Sequence, residues 1–209
     1  MSSTRRPQGD IVAGVTADLE IRPLTDQTWS DLCALFDQGG DPRWCWCQYF
    51  RVRGLDWTNS TGAENRVRLR EQTLTGPPPG LVAVRDGEAV GWVSLGPREA
   101  FARLEHSVVL APVDDTPVCS IVCFVVARRA RRSGVARTLL DGAIDYARQH
   151  GATTLEAYPA DTAGIRVAAS AVYQGTLSMF ERAGFRVVAT RQFNRTRPVR
   201  PIVRLELPR

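Results

Sequence analysis

The sequence of 209 residues has no apolar run long enough to cross a membrane, which takes about 20 residues. Its N-terminal stretch MSSTRRPQGDIVAGVTA contains only a five-residue apolar run, which is too short for the core of a signal peptide. Five cysteines, an odd number, do not describe a disulfide framework and favour reduced thiols. We therefore expect a cytoplasmic protein with no membrane segment.

Internal repeats and low-complexity stretches are also lacking, which argues against a repeat architecture. With 44% hydrophobic residues, a chain of this length buries one sizeable core, and no change in composition indicates a second. We predict a disordered lead-in over residues 1–16 and a single domain over residues 17–209.

The most informative segment predicts a buried strand, an arginine-rich turn and a helix, in that order. Apolar or small residues fill almost every position from Val118 to Val126, as in a strand that is covered on both faces. Beyond the turn, apolar residues recur at three- and four-residue steps along one helical face: Val135, Ala136, Leu139, Leu140, Ala143, Ile144 and Ala147.

The turn between these two elements reads Arg131-Arg132-Ser133-Gly134-Val135-Ala136. Glycine lets the backbone turn tightly and approach a ligand, and the first amides of the following helix point toward that ligand. The helix dipole favours negative charge at the same place. Cationic side chains are added by Arg128, Arg129, Arg131, Arg132 and Arg137. The pattern predicts an anion site, with a pyrophosphate as the expected ligand; the alternative is an ordinary turn with solvated arginines.

A second motif follows about fifty residues later, where Leu177-Ser178-Met179-Phe180-Glu181-Arg182-Ala183-Gly184-Phe185 predicts a short helix ending in Gly-Phe. Together with the R-x-x-G-x-A turn, this segment resembles the GNAT superfamily of acyl-CoA-dependent N-acyltransferases over roughly residues 18–207. The resemblance implies an α/β (α+β) domain with a mixed, mostly antiparallel central sheet that is flanked by helices and opened at its central strand.

The resemblance also implies that acetyl-CoA is the cosubstrate and that no metal is needed. Its coenzyme contacts would come from Val125, Val126, Arg131, Arg132, Ser133, Gly134, Val135, Ala136, Arg137, Tyr173 and Phe180. The amides near Val125 and Val126 would stabilise the oxyanion. The net charge of +5 suggests nucleic acid, but coenzyme A is itself polyanionic and accounts for the basic turn.

The remaining secondary structure is predicted from capping and turn signals. Thr25 is expected to cap a helix over residues 26–38, and Thr61-Gly62-Ala63-Glu64 forms a capping box for a helix to about residue 74. Asp86-Gly87 predicts a β-hairpin. Further strands are expected at 18–24, 153–158, 185–190 and 202–207, with a helix at about 172–182.

Phe180 stands where family members usually have a tyrosine that protonates the departing thiolate, and phenylalanine has no proton to give. Tyr173 precedes it by seven residues, which on one helix is a displacement of roughly 10 Å. We therefore expect Tyr173 to pack or to contact the coenzyme rather than to donate the proton.

Glu156 lies in the middle of a predicted strand, where a carboxylate is costly to bury without a partner. It is our candidate catalytic residue, acting as general base toward an ammonium acceptor. The alternative is that Glu156 is a structural partner for an arginine or for a sheet-edge amide.

The segment Arg43-Trp44-Cys45-Trp46-Cys47-Gln48-Tyr49-Phe50 holds four aromatic residues and two thiols. In an extended conformation both indoles would lie on one side. The family resemblance places acceptor-binding residues here, so we expect Trp44, Trp46 and Tyr49 to form a wall that suits an apolar or cationic acceptor. The alternative is a core plug beneath a long loop.

Four cysteines also raise the possibility of a metal site. Cys45 and Cys47 form C-x-C rather than the usual C-x(2–4)-C, and a straight strand would hold Cys119 and Cys123 about 13 Å apart. One zinc could not reach both of the latter, so we predict no metal. Cys123 as an acyl-accepting nucleophile has no base adjacent in sequence.

These observations predict transfer of an acetyl or other short acyl group from acyl-CoA to a primary amine by direct attack. The acceptor would be a small molecule or a peptide, in a bacterial-type branch of the family, and a homodimer is possible. Two alternatives are a catalytically weak acyl-CoA-binding or regulatory module, which the missing tyrosine supports, and an RNA-directed acyltransferase, which the basic charge suggests.

Overall fold

A seven-stranded mixed sheet with the order β1-β2-β3-β4-β5-β7-β6 organises the chain. The computed structural model describes residues 19–162, 172–192 and 199–208, so the predicted lead-in lies outside the described residues. The strands are β1 Glu20–Pro23, β2 Gly80–Arg85, β3 Glu88–Pro97, β4 Cys119–Val126, β5 Thr154–Ala157, β6 Arg186–Arg191 and β7 Arg200–Glu206. Every neighbouring pair is antiparallel except β4 and β5, which confirms the predicted fold class.

Helices flank the sheet, and one of them begins at the capping box that the sequence predicted. The α-helices in the described residues are α1 Trp29–Phe36, α2 Asp41–Cys45, α3 Gly54–Thr58, α4 Gly62–Thr75, α5 Ala102–Glu105, α6 Val135–Gln149 and α7 Leu177–Glu181. The predicted capping box of α4 is present, with Thr61 and Glu64 each bonding the other's backbone amide. Within the described residues no helix has the length and apolar character that crossing a membrane requires.

Local sequence correctly predicted the hairpin, but not the start of α1. Asp86 and Gly87 have φ angles of 53° and 77°, as the expected tight turn requires. Helix α1 begins at Trp29 rather than at residue 26, because the Thr28 hydroxyl accepts the Thr25 amide at 2.9 Å and donates to Pro23 O at 2.8 Å. These bonds hold residues 25–28 as a turn before the helix.

The predicted helix over residues 172–182 is wrong in its first half. The described part of that span is a turn through Gln174 followed by α7, and Gly175 between them has φ +81°. A left-handed residue at this point interrupts an α-helix. Tyr173 therefore does not share a helix with Phe180, and the expected displacement along one helix does not apply.

Helix α6 packs closely on strands β1 to β4 and carries the apolar face that the sequence predicted. Its inward residues include Val135 and Leu139, which are buried. A Cβ added to Gly91 of β3 would lie 2.6 Å from Val135 Cγ1, so only glycine allows this approach. The first turn of α6 is thereby held against the centre of the sheet.

Strands β4 and β5 separate after a short parallel junction. Their pairing runs only from Cys119↔Leu155 to Ile121↔Ala157, whereas β4 continues to Val126 alongside β3. The β3–β4 register shifts between Ser94 and Leu95, where Val122 of β4 is the extra residue, and this β-bulge accompanies the separation. The second half of β4 therefore does not pair with β5 along one of its edges, and this separation opens a cleft in the middle of the sheet.

Candidate functional site

The arginine-rich turn leads directly from β4 into α6, and its geometry matches an anion site. Gly134 precedes the helix with φ +84°, and a Cβ added there would meet no atom within 4 Å. The amides of Arg137 and Thr138 donate to Gly134 O at 2.9 and 3.0 Å, so they belong to the helix. The amides of Val135 and Ala136 precede these bonds and remain available to a ligand.

The side chains of this turn differ in how free they are. Arg129 pairs with Glu88 at 2.5 Å, and Arg137 pairs with Asp141 at 3.0 Å. Arg128, Arg131 and Arg132 are exposed and form no ion pair with the described residues. These three unpaired guanidiniums are therefore the stronger candidates for an anionic ligand, while Arg137 first has to leave its carboxylate.

Sequence reasoning missed Arg85, which extends the cationic set from the neighbouring hairpin. Its Nη1 donates to Ser133 Oγ at 3.2 Å, and Ser133 in turn donates to Ala130 O at 2.8 Å. Arg85 ends β2, directly before the Asp86-Gly87 turn. The hairpin itself was correctly predicted. That Arg85 lies near the arginine-rich turn follows only from the tertiary structure, which brings the end of β2 beside that turn.

The backbone of β4 presents alternate amides to the cleft. Ala127 N donates to Val90 O at 2.9 Å, on the β3 side, and Phe124 N donates to Tyr173 O at 2.5 Å, on the opposite side. Because amides alternate along a strand, the Val126 amide faces the cleft and the Val125 amide faces β3. Of the two amides predicted as oxyanion donors, only that of Val126 therefore faces the cleft, whereas Val125 is among the residues that line the adjoining cavity.

A cavity of about 410 Å³ borders this part of β4. Its walls come from α2, α3, β4 and the turn at residues 173–174, and they are lined by Asp41, Pro42, Trp44, Cys45, Cys47, Tyr49, Phe50, Trp57, Val122, Cys123, Val125, Tyr173, Gln174 and Arg200. A second cavity, of about 450 Å³, lies around Pro77, Pro117 and Tyr146. Of these two cavities, the first is the one lined by residues from the separated half of β4.

Two of the three predicted acceptor residues line this cavity, and one does not. Trp44 and Tyr49 are about half exposed, and each packs edge-on against Trp57, with ring centroids 4.6 and 5.4 Å apart. Trp57 was not predicted. Trp57 lies on the short helix α3, which no sequence signal predicted, so the sequence did not link Trp57 to Trp44 and Tyr49.

Trp46 is a core residue, and the expectation that it shares a wall with Trp44 is wrong. Its side chain is 2% exposed, its Nε1 donates to Arg43 O at 2.8 Å, and its ring packs against Trp29 and Phe36. The segment is not extended, because α2 ends at Cys45 and Trp46 itself has φ 45°. The helical turn sends the two indoles to different surroundings.

Glu156 is fully buried in an ionic network, which matches the structural alternative. Its Oε1 accepts from Arg98 Nη1 at 2.9 Å and from the Tyr158 hydroxyl at 2.7 Å, and its Oε2 accepts from Arg204 Nε at 2.8 Å. Burial, followed by the Glu156 charge, raises the pKa of the Tyr158 hydroxyl, which therefore stays protonated. Both carboxylate oxygens are engaged, and Glu156 does not line the cavity of about 410 Å³.

Phe180 is likewise part of the core rather than of an open cleft. It has no exposed surface, and its ring packs against Phe124 and Phe185 at 6.1 and 5.0 Å between centroids. Gly175 makes room for it, since a Cβ there would lie 2.8 Å from the Phe180 ring. Because the Phe180 side chain has no exposed surface, its position does not meet the expectation of a direct coenzyme contact.

Tyr173 lines the cavity with a protonated hydroxyl. Burial and, after it, the neighbouring Asp41 carboxylate raise the pKa of Tyr173 to about 12. A phenol with this pKa is neutral near pH 7, but it is a weaker acid than an ordinary tyrosine, and its hydroxyl is hydrogen-bonded to Asp41. Tyr173 thus differs from Phe180 in having both a proton and access to the cavity.

All five cysteines are free thiols in the structure. Among residues 19–162, 172–192 and 199–208, no three or more histidine, cysteine, aspartate or glutamate side chains are placed so that they could hold one metal ion.

Comparison with known proteins agrees with this geometry. The model of the Acetyltransferase (GNAT) family matches residues 43–174, more than half of the chain. The chain therefore belongs to the GNAT acetyltransferase family, and acyl transfer from acyl-CoA is the activity that this family supports. No match was found among curated protein sequences.

Solved structures show the same fold at low sequence identity. An N-acetyltransferase from Staphylococcus aureus has 17% identity and a TM-score of 0.55, covering 91% of this chain and 99% of its own. A GNAT-family acetyltransferase from Streptococcus pneumoniae has 16% identity and a TM-score of 0.53, with coverages of 91% and 100%. The NatC complex bound to Gag peptide and CoA has 14% identity and a TM-score of 0.51, with coverages of 91% and 99%.

Proposed function

We propose that this protein transfers an acetyl or other short acyl group from acyl-CoA to a primary amine by direct attack on the thioester. The observation that carries the proposal is the turn at Gly134, whose open amides and unpaired arginines lie at the start of α6 beside the opened strand β4. The amides of Val135 and Ala136, with Arg131, Arg132 and Arg85 around them, would hold the pyrophosphate. Val126 N would stabilise the oxyanion.

The amine would enter the cavity that Trp44, Tyr49 and Trp57 line. The Arg103 guanidinium already lies over the Tyr49 and Trp57 rings, at 4.1 and 5.7 Å from their centroids. Trp44 and the Asp41 carboxylate at the same cavity therefore favour an acceptor that arrives as an ammonium. The apolar part of the lining acts in the opposite direction, because burial away from water lowers the pKa of an amine and helps it to lose its proton before attack. A small-molecule or peptide amine fits this chemistry.

Proton transfer would use the cavity rather than the buried network. The Tyr173 hydroxyl, which is protonated at neutral pH, is our candidate donor to the departing thiolate. Glu156 is not assigned as the base, because two arginines and Tyr158 already occupy its oxygens. Tyr173→Phe should accordingly lower turnover while leaving acetyl-CoA affinity nearly unchanged.

The coenzyme site is tested by Gly134→Val, measured as acetyl-CoA affinity by calorimetry. A Cβ at this position would block close approach of the pyrophosphate to the backbone, so we expect affinity to fall at least about tenfold. Gly151→Val is a matched control, since Gly151 also has positive φ, meets no atom within 4 Å, and lies at the other end of α6. Equal affinity in both folded variants would remove the turn from the coenzyme site.

A catalytically weak acyl-CoA-binding module remains the second candidate, because one observation favours it. The Tyr173 carbonyl occupies the Phe124 amide, a donor that faces the cleft. If this contact persists with coenzyme bound, the thioester has one donor fewer on β4. Acetyl-CoA binding without turnover across a broad amine panel would favour this module over the enzyme.

A further inference from the structure

Two thiols from distant parts of the chain meet in the wall of the acceptor cavity. Cys47 Sγ and Cys123 Sγ lie 3.5 Å apart, although the residues are 76 positions apart in sequence. Cys47 follows α2 and is 5% exposed, whereas Cys123 on β4 is only partly buried. Both line the cavity, and neither is used in the acyl transfer proposed above.

The surroundings hold this pair together. Trp92 Nε1 donates to Cys47 Sγ at 3.1 Å, which fixes the thiol on the side that faces β4. A disulfide bond is about 2.05 Å long, so the sulfurs must approach by only about 1.5 Å. The other cysteines have different neighbours; Cys33, for example, receives a hydrogen bond from Arg66 at 3.2 Å.

We propose that Cys47 and Cys123 form a redox-active dithiol site that a peroxide oxidises reversibly to a disulfide. The more accessible Cys123 thiol attacks the peroxide, takes one oxygen to become a sulfenic acid, and releases water when the peroxide is hydrogen peroxide. Cys47 Sγ then attacks the sulfenic sulfur, the S–S bond forms, and the hydroxyl leaves with the Cys47 proton as a second water. The two thiols lose two electrons in total, and these reduce the peroxide.

The bond would join the segment that carries Trp44 and Tyr49 to the central strand. Oxidation would thus fix the acceptor wall against β4, and a thiol reductant would release it. Only this consequence for the acceptor rests on the proposed function. Formation of the disulfide requires neither coenzyme nor amine, so the site can be tested without any turnover.

The test treats the full chain with hydrogen peroxide and measures intact mass, free thiols and the linked peptides. We expect a mass loss of about 2 Da, a fall from five free thiols to three, and one peptide pair that joins Cys47 to Cys123. Dithiothreitol should restore all five. Cys119→Ser, a half-buried thiol on the same strand, should still form the bond and serves as the matched control.

The variants Cys123→Ser and Cys47→Ser should each abolish the mass loss. Cys47 is buried and accepts the Trp92 bond, so a folding defect there is a risk, and Cys123→Ser at the more accessible partner tests the same bond independently. A disulfide that persists in Cys123→Ser overturns the assignment. So does oxidation of the wild type to sulfinic acid, or no reaction at peroxide concentrations that oxidise free cysteine.

Discussion

Replacing Glu156 with glutamine should destabilise the protein far more than it impairs chemistry. The carboxylate side chain is 1% exposed, and its guanidinium partners on Arg98 and Arg204 are 7% and 8% exposed. Glutamine keeps the size but removes the charge, and its amide group meets a guanidinium donor on at least one side. Arg98 and Arg204 each keep a second carboxylate partner, Glu105 and Asp114, but these two are partly exposed. Removing one partner of a buried ion pair typically costs about 3–5 kcal/mol.

For a chain of this size, that loss corresponds to a fall in melting temperature of roughly 6–20 °C. Differential scanning calorimetry measures it, and Glu88→Gln is the control. Glu88 also pairs with an arginine, but its side chain is 70% exposed, so the loss there should stay below about 1 kcal/mol. Acetyl-CoA affinity and turnover of Glu156→Gln should be measured well below its melting temperature and should remain close to wild type.

Two results would refute this reasoning. A melting temperature within about 1 °C of the wild type would show that the buried pairs contribute little. Wild-type stability with a large loss of turnover, strongest at low pH where more amine must be deprotonated, would instead assign the base to Glu156.

Three further predictions follow from side-chain positions. Trp46→Ala should lower the free energy of unfolding by about 3–5 kcal/mol, because it leaves a cavity in the core. Trp44→Ala should leave the free energy of unfolding nearly unchanged and raise the acceptor Michaelis constant. Chemical denaturation measures the first effect, and steady-state kinetics measures the second. Phe180→Tyr should lower stability by about 1–3 kcal/mol, because a hydroxyl enters a filled core, and calorimetry should find coenzyme affinity unchanged. Arg204 lowers the pKa of Asp114, so this ion pair stabilises the fold above the unfolded pKa of aspartate, near 4, and the stabilisation is lost as pH falls. Asp114→Asn should therefore destabilise the protein at pH 7 and progressively less below about pH 4. Thermal melts across this pH range measure the difference.

Sequence predicted those parts of the fold that are specified by neighbouring residues. The Asp86-Gly87 hairpin, the Thr61 capping box and the apolar face of α6 each depend on residues within a few positions of one another. The arginine-rich turn before α6 could be predicted for the same reason, since its glycine and its arginines are contiguous in sequence. Its proposed contacts nevertheless had to be revised, because the end of β2 adds Arg85 only through tertiary structure.

The acceptor region could not be predicted in the same way. Alternating aromatic and cysteine residues suggested an extended segment, but Trp46 and Cys47 have φ angles of 45° and 50°. Positive φ angles are usually indicated by glycine or asparagine, and neither residue stands at these positions. Glu156 was a similar case, because its arginine partners lie 58 and 48 residues away. Only the folded sheet shows that a mid-strand carboxylate is already neutralised.

The strand order has a consequence for the time at which the protein can fold on the ribosome. Strands β1 to β4 pair in the order of synthesis, but β5 pairs with β7, and β6 reaches the sheet only through β7. A nascent chain that ends before residue 200 would expose one edge of β5 and leave Glu156 without Arg204. The strands on either side of the arginine-rich turn can therefore pair before β7 is synthesised, whereas β5 and β6 have no strand between them until residues 200–206 are made.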